Sequence, residues 1–135
     1  MSGSIVWLDE RDALILHDRL LALHGGAPGI RDRGLLTSAM ARPRQHAAYG
    51  EQPDIGFLAA LHTAAILQNH PFIDGNKRTG FVLGILFLEL NGLVFTGSQP
   101  DAANAVIALA AGTMDVEGYA AFLAANAKAG GSRKP

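Results

Sequence analysis

With 135 residues, 49% of them apolar and 17% charged, the chain is long enough for one domain around a single buried core. Its 11 basic and 12 acidic side chains give a net charge of -1, without the basic excess of a nucleic-acid binder, and the absence of cysteine excludes disulfides and thiolate metal sites. Met1-Ser2-Gly3-Ser4 lacks the basic start of a signal peptide, and the apolar run Phe81–Leu90 is too short to cross a bilayer, so a cytoplasmic protein with no membrane or direct nucleic-acid partner is expected.

In chain order, a first helix is predicted from Asp9 to Leu23. Asp9 and Asp12 stand at capping-box spacing, Leu14, Leu16, Leu20, Leu21 and Leu23 supply an apolar face, and Gly25-Gly26 ends it. Ala27–Arg31, with Pro28 and Gly29, reads as a loop. A short helix from Asp32 to Ala41 is expected to stop before Pro43, leaving Arg44–Pro53 irregular with a turn at Tyr49-Gly50. The next helix opens near Asp54 and carries Ile55, Phe57, Leu58, Leu61, Ala65, Ile66 and Leu67 as far as Asn69, ahead of Pro71. Another runs from Asn76 to Asn91 with Gly92 as its left-handed cap; it is apolar nearly all round and is expected to be the buried central helix. Two further helices are predicted, Pro100–Ala111 and Val116–Ala129, with Ser98 and Asp115 at their starts, and Gly130–Pro135 reads as a flexible tail. There is no internal repeat and no strand pair is expected. The predicted class is all-α: a compact single-domain helical bundle.

Between the two most apolar helices lies His70-Pro71-Phe72-Ile73-Asp74-Gly75-Asn76-Lys77-Arg78-Thr79-Gly80. It closes a loop onto a helix N-terminus, whose first N–H groups lack intrahelical partners and, with the helix dipole, favour an anion such as phosphate. Gly75 lets a ligand approach the backbone closely. Lys77 and Arg78 oppose the dipole by roughly 0.3–1 kcal/mol each, which makes sense where an anion is to be bound. Asp74 supplies an oxygen ligand of the kind that holds Mg²⁺ against a polyphosphate. His70 carries the side chain best suited to take a hydroxyl proton near neutral pH. Phe72 and Ile73 are apolar and adjacent, so at least one of them is expected to plug the loop into the core and fix His70 against the phosphate site. Taken singly, each polar residue has a plainer reading as a cap, a turn or a solvated face. Their convergence in the most hydrophobic part of the chain points to nucleotide-dependent group transfer onto a hydroxyl. A Walker A loop is absent.

The same residues resemble the signature of the Fic/Doc superfamily, His-x-Phe-x-[Asp/Glu]-[Gly/Ala]-Asn-x-Arg, with every fixed position filled. The rest of the chain is similar to the short death-on-curing (Doc) branch: Gly29-Ile30-Arg31-Asp32, Leu35-Leu36 and Ser38-Ala39 match its flap, over a helical layout covering about residues 5–128. AMP-transferring Fic proteins usually have Gly between Asn and Arg and a second Arg three residues later; here those positions hold Lys77 and Phe81, as in the Doc branch. The resemblance implies a toxin of a type II toxin–antitoxin system that uses Mg-ATP to phosphorylate a threonine of elongation factor Tu, restrained by a separate antitoxin. It implies His70 as base, Asp74 at Mg²⁺ or the phosphate, Gly75, Asn76 and Lys77 cradling phosphates, Arg78 neutralising them, and Phe72 as structural. The Doc motif more often has Ala where this chain has Gly75, which keeps AMP transfer as an alternative; an inactive binding module of the same fold is a second. Thr113–Gly118 fits the loose pattern of a Fic inhibitory helix, but a plain helix start at Asp115 accounts for it. His17, His24, His46 and His62 all read as structural or surface residues, with only His62, on the helix that leads to His70, in a position to face the site. Trp7 reads as an anchor for the first helix, and Arg31, Arg33, Arg42 and Arg44 as a solvated cluster or a contact for a protein target.

Overall fold

The computed structural model describes residues 4–49 and 54–130, and six helices carry the described chain. The first, α1 (Glu10–His24), has the expected capping box: the Asp9 carboxylate accepts from the Asp12 N–H while Asp12 accepts from the Asp9 N–H. It ends on Gly25, whose φ of 82° is open to glycine at little cost.

Helix α2 (Arg33–Tyr49) corrects the expected stop, running through Pro43 for two further turns. An interior proline loses one backbone bond and costs about 3 kcal/mol. Here the ring is itself buried beside Leu36, Ala39 and Met40, so packing offsets the local penalty. The remainder of the expected turn, from Gly50, lies outside the described residues.

Helix α3 (Ile55–Asn69), capped by Asp54 accepting from Gly56, buries nine consecutive residues from Leu58 to Ile66. Helix α4 (Asn76–Leu90) buries one face, through Thr79, Gly80, Leu83, Gly84, Phe87 and Leu88. The all-α class therefore stands, but the helix surrounded on every side is α3 rather than α4. The two pack closely because Gly80 and Gly84 present backbone where others present side chains: a Cβ on Gly84 would sit 3.0 Å from the Ala59 carbonyl and collide with the Thr63 hydroxyl. Thr63 Oγ1 donates to the Gly80 carbonyl at 2.7 Å across that seam.

After Gly92 a short strand β1 (Leu93–Phe95) precedes α5 (Gln99–Ala111) and α6 (Val116–Ala125), capped by Ser98 and Asp115 as expected. Helix α6 stops four residues early. Ala127–Ala129 forms β2, antiparallel to β1 with Leu93 opposite Ala129 and Phe95 opposite Ala127, where no strand pair was expected. An Ala-Lys-Ala segment has little strand preference of its own, and three residues show no alternation to read; the partner strand decides. Residues 131–135, the end of the expected tail, lie outside the described residues. No helix among the described residues is long and apolar enough to cross a membrane.

Candidate active site

The loop joining α3 to α4 carries the motif. Helix α3 ends at Asn69 because Pro71 disfavours right-handed helical geometry in the residue before it. His70 takes φ 51° and ψ 55°, the one left-handed non-glycine among the described residues, and its N–H still bonds to the Ile66 carbonyl at 2.9 Å. Histidine is enriched in this region relative to bulkier residues. The ring itself is exposed.

Phe72 plugs the loop into the core, fully buried. Its ring stacks on His17 from α1, centroids 3.8 Å apart and planes 7° from parallel. His17 Nε2 lies 2.8 Å from the Asp74 carbonyl, which can only accept, so that nitrogen carries the proton. His17 is thus structural, as expected, but what it supports is the motif loop. On the other side the Asn76 amide brackets the Phe72 backbone: Oδ1 accepts from its N–H at 3.0 Å and Nδ2 donates to its carbonyl at 2.9 Å. With that side chain buried and doubly engaged, what Asn76 offers a phosphate is its backbone N–H.

Asp74 lies exposed at the next corner. Its Oδ2 accepts from the Ala27 N–H at 3.1 Å and its Oδ1 from the Gly75 N–H at 2.9 Å. These bonds, Ala27 first, hold its carboxyl below the usual carboxylate range, helped by positive charge from His17 and Arg78. Each oxygen keeps a lone pair for a cation. Among the described residues no group of three or more His, Cys, Asp or Glu gathers, so a magnesium ion here would have one protein carboxylate and would complete its shell with water and phosphate oxygens, as that ion commonly does.

Gly75, at φ 81°, opens α4 without any side-chain cap. The N–H groups of Asn76, Lys77 and Arg78 find no protein acceptor among the described residues, the first turn holds no acid, and the Lys77 and Arg78 side chains are exposed. Among the described residues neither forms an ion pair; the one salt bridge there joins Arg33 to Glu10 at 3.1 Å. Three free donors, the positive dipole end and two cations make this corner an anion nest beside an ionised carboxylate.

The preceding loop wraps the motif. Ile30 pairs with Phe72 in an antiparallel bridge; Ile73 donates to Gly29 at 3.1 Å, and the Arg31 and Asp32 N–H groups donate to Pro71 at 2.6 and 3.1 Å. The Arg31 side chain reaches the Asn69 and His70 carbonyls, a contact that a reading as solvated surface misses. Its signal in the sequence is the glycine- and proline-rich Gly25–Gly29 run, which lets a chain follow another backbone closely.

The other candidates lie elsewhere. His62 does not face the site: it is buried against Phe87, centroids 4.5 Å apart, with Nδ1 donating to Leu58 at 2.8 Å and Nε2 unpartnered. Burial pushes its pKa down to about 4. Trp7 packs on the same Phe87, with Arg44 5.1 Å from its ring, as an anchor should. His24 and His46 are exposed, and Thr113–Gly118 is the start of α6, where Asp115 caps the helix. An open hollow of about 410 Å³ on α2, lined by Arg42, Gln45, His46 and Tyr49, contains no motif residue.

The profile of the Fic/DOC family matches residues 7–88, from the anchor tryptophan to the far end of α4. The chain belongs to the Fic/DOC family. It is 31% identical over 113 residues to "Protein kinase doc" of Escherichia phage P1, covering 84% of this chain and 89% of that protein. It is 37% identical over 89 residues to "Toxin Doc" of Mycolicibacterium smegmatis (strain ATCC 700084 / mc(2)155), covering 64% of this chain and 65% of that one. Both relatives carry the Doc name, and the chain falls in the death-on-curing branch. Helices α5 and α6 lie beyond the region matched to the family profile, which holds the whole motif loop and the segment that wraps it.

Proposed function

We propose that this protein is the toxin of a toxin–antitoxin pair and transfers the γ-phosphoryl group of Mg-ATP to a serine or threonine hydroxyl of a protein, elongation factor Tu being the expected target. The observation that carries this reading is an anion nest at the start of α4 with two exposed cations and an ionised carboxylate beside it, at the end of the short loop that opens on the exposed His70. In this scheme the N–H groups of Asn76 to Arg78, with Lys77 and Arg78, hold the phosphates. Asp74 takes the magnesium that arrives with ATP. His70 removes the proton of the target hydroxyl as its oxygen bonds to the γ-phosphorus; the bond from that phosphorus to the β–γ bridging oxygen breaks, and ADP leaves. The name of the phage relative supports kinase chemistry and that of the mycobacterial relative supports a toxin, which in turn implies a cognate antitoxin. Translation arrest in the cytoplasm follows from the proposed target.

AMP transfer is the second reading, resting on Gly75. That residue has a reason of its own: at φ 81° a Cβ would meet only ordinary contacts with His17 and Leu21, and the backbone conformation itself selects glycine. The exposed Lys77 beside the nest is the stronger indicator, since a long cation there changes which phosphates fit. Induced expression tests both. His70→Ala should abolish growth arrest while its protein accumulates; arrest that survives would make the protein a binding module. Lys77→Gly should move the modification on the target from a phosphoryl to an adenylyl group, and an unaltered product would remove Lys77 from the argument.

A further inference from the structure

Helix C-termini leave their last carbonyls without intrahelical partners, and water usually takes them. At the end of α3 one residue from a distant loop takes them instead. Arg31 Nε donates to the His70 carbonyl at 2.7 Å, and its terminal NH2 group donates to the Asn69 carbonyl at 2.9 Å. The Arg31 backbone N–H adds the Pro71 carbonyl at 2.6 Å. Three successive carbonyls therefore point at one residue, and the guanidinium charge sits at the negative end of the helix dipole, where it is favourable.

The consequence falls on His70. The peptide plane before it is held through the Asn69 carbonyl and its own N–H to Ile66; the plane after it is held through its carbonyl. Those two planes define φ and ψ of His70, and the left-handed values they impose fix where Cβ and the imidazole point. No hydrogen bond among the described residues orients the exposed ring itself, so the backbone supplies the alignment. Asn69 Nδ2 donating to Leu35 at 2.9 Å ties the same turn to α2.

We infer that Arg31 is a positioning residue: its fork locks the left-handed backbone of His70 and thereby aims the imidazole at the anion nest. This rests on the proposed role of His70 as base. A lysine cannot replace the fork, because a single ammonium group does not span two fixed carbonyls in a plane. The phosphate-binding groups sit on α4 and are untouched by Arg31, so its loss should fall on turnover and not on nucleotide binding.

The test uses the full chain as wild type, Arg31→Ala, Arg31→Lys and, as a control that removes a neighbouring guanidinium, Arg33→Ala. Two quantities are read: kcat and KM for Mg-ATP, and the His70 amide–α-proton coupling by NMR, which reports φ. Arg31→Ala should lower kcat about 10- to 100-fold with KM within about twofold, and should shift the His70 coupling. Arg31→Lys should recover part of both, and Arg33→Ala should leave both as in wild type. Unchanged kcat in Arg31→Ala overturns the inference, as does lowered kcat with an unchanged coupling, or a rise in KM that parallels the loss of kcat. If His70→Ala retains full activity, the base reading fails by itself, and the coupling alone then decides whether Arg31 holds that backbone. Should the alanine variant not fold, the lysine variant carries the same comparison.

Discussion

The seam between α3 and α4 and the loop that joins them are neighbours in sequence and opposites in construction. Along the seam, Ala59 and Thr63 meet Gly80 and Gly84 in direct backbone contact, with one hydrogen bond between them. In the loop, nearly every backbone group from Asn69 to Gly75 is held by a directed hydrogen bond, with partners from His17, Gly29, Arg31 and Asp32 on one side and Asn76 on the other. Packing of small residues tolerates no added volume but needs no particular polar partner. Hydrogen bonding lets the loop stand exposed and polar while keeping one shape, which is what a site that must face a nucleotide and a protein target requires. The two meet at Phe72 and His17, where an aromatic stack joins the loop to the core.

Breaking that junction should have the largest effect on stability. His17→Ala removes a buried ring and leaves the Asp74 carbonyl without its donor, for an expected loss of about 2–4 kcal/mol in chemical denaturation. Hydrogen exchange should quicken at the bonded amides of Phe72, Ile73 and Gly75 before it does in α3; uniform acceleration would mean that the loop and the seam are one unit.

His62 sharpens the comparison from the core side. Its folded pKa of about 4 lies below the ordinary value of 6.5, so the unfolded chain binds the extra proton between those values. Stability is then full above about pH 6.5 and declines as pH falls towards 4, by about 3 kcal/mol in all. His62→Leu should flatten that slope. A slope that survives the substitution would place the acid sensitivity in another group.

Gly84→Ala probes the seam with the smallest change. Alanine raises helix propensity by about 1 kcal/mol, but its methyl would strike Thr63 and the Ala59 carbonyl, and overpacking costs about 1–3 kcal/mol. The expected net is a loss of up to about 2 kcal/mol with activity retained in the folded protein. A gain in stability would show that α3 and α4 can part without strain.

The helices α1, α3, α4 and α5 were legible because their signals are local: Asp9 with Asp12, Asp54, Gly75 before Asn76, and Ser98 all announce ends. What escaped was decided at a distance. Pro43 stays helical because of what it packs against, and Ala127–Ala129 pairs because β1 lies alongside. In the site, the chemistry of each motif residue could be read from its type. That Asn76 spends its amide on Phe72 four residues back, and that Ala27, His17 and Arg31 shape the loop through contacts 39 to 57 residues apart, is something for which single residues carry no mark.

The most direct test of the central claim incubates the purified protein with magnesium and elongation factor Tu, in parallel reactions with ATP labelled at the γ- or the α-phosphate. The account predicts label on the target from γ-labelled ATP alone, lost in His70→Ala. Label from α-labelled ATP would contradict it in favour of AMP transfer, and no label from either, beside an active control kinase, would contradict phosphoryl transfer to this target.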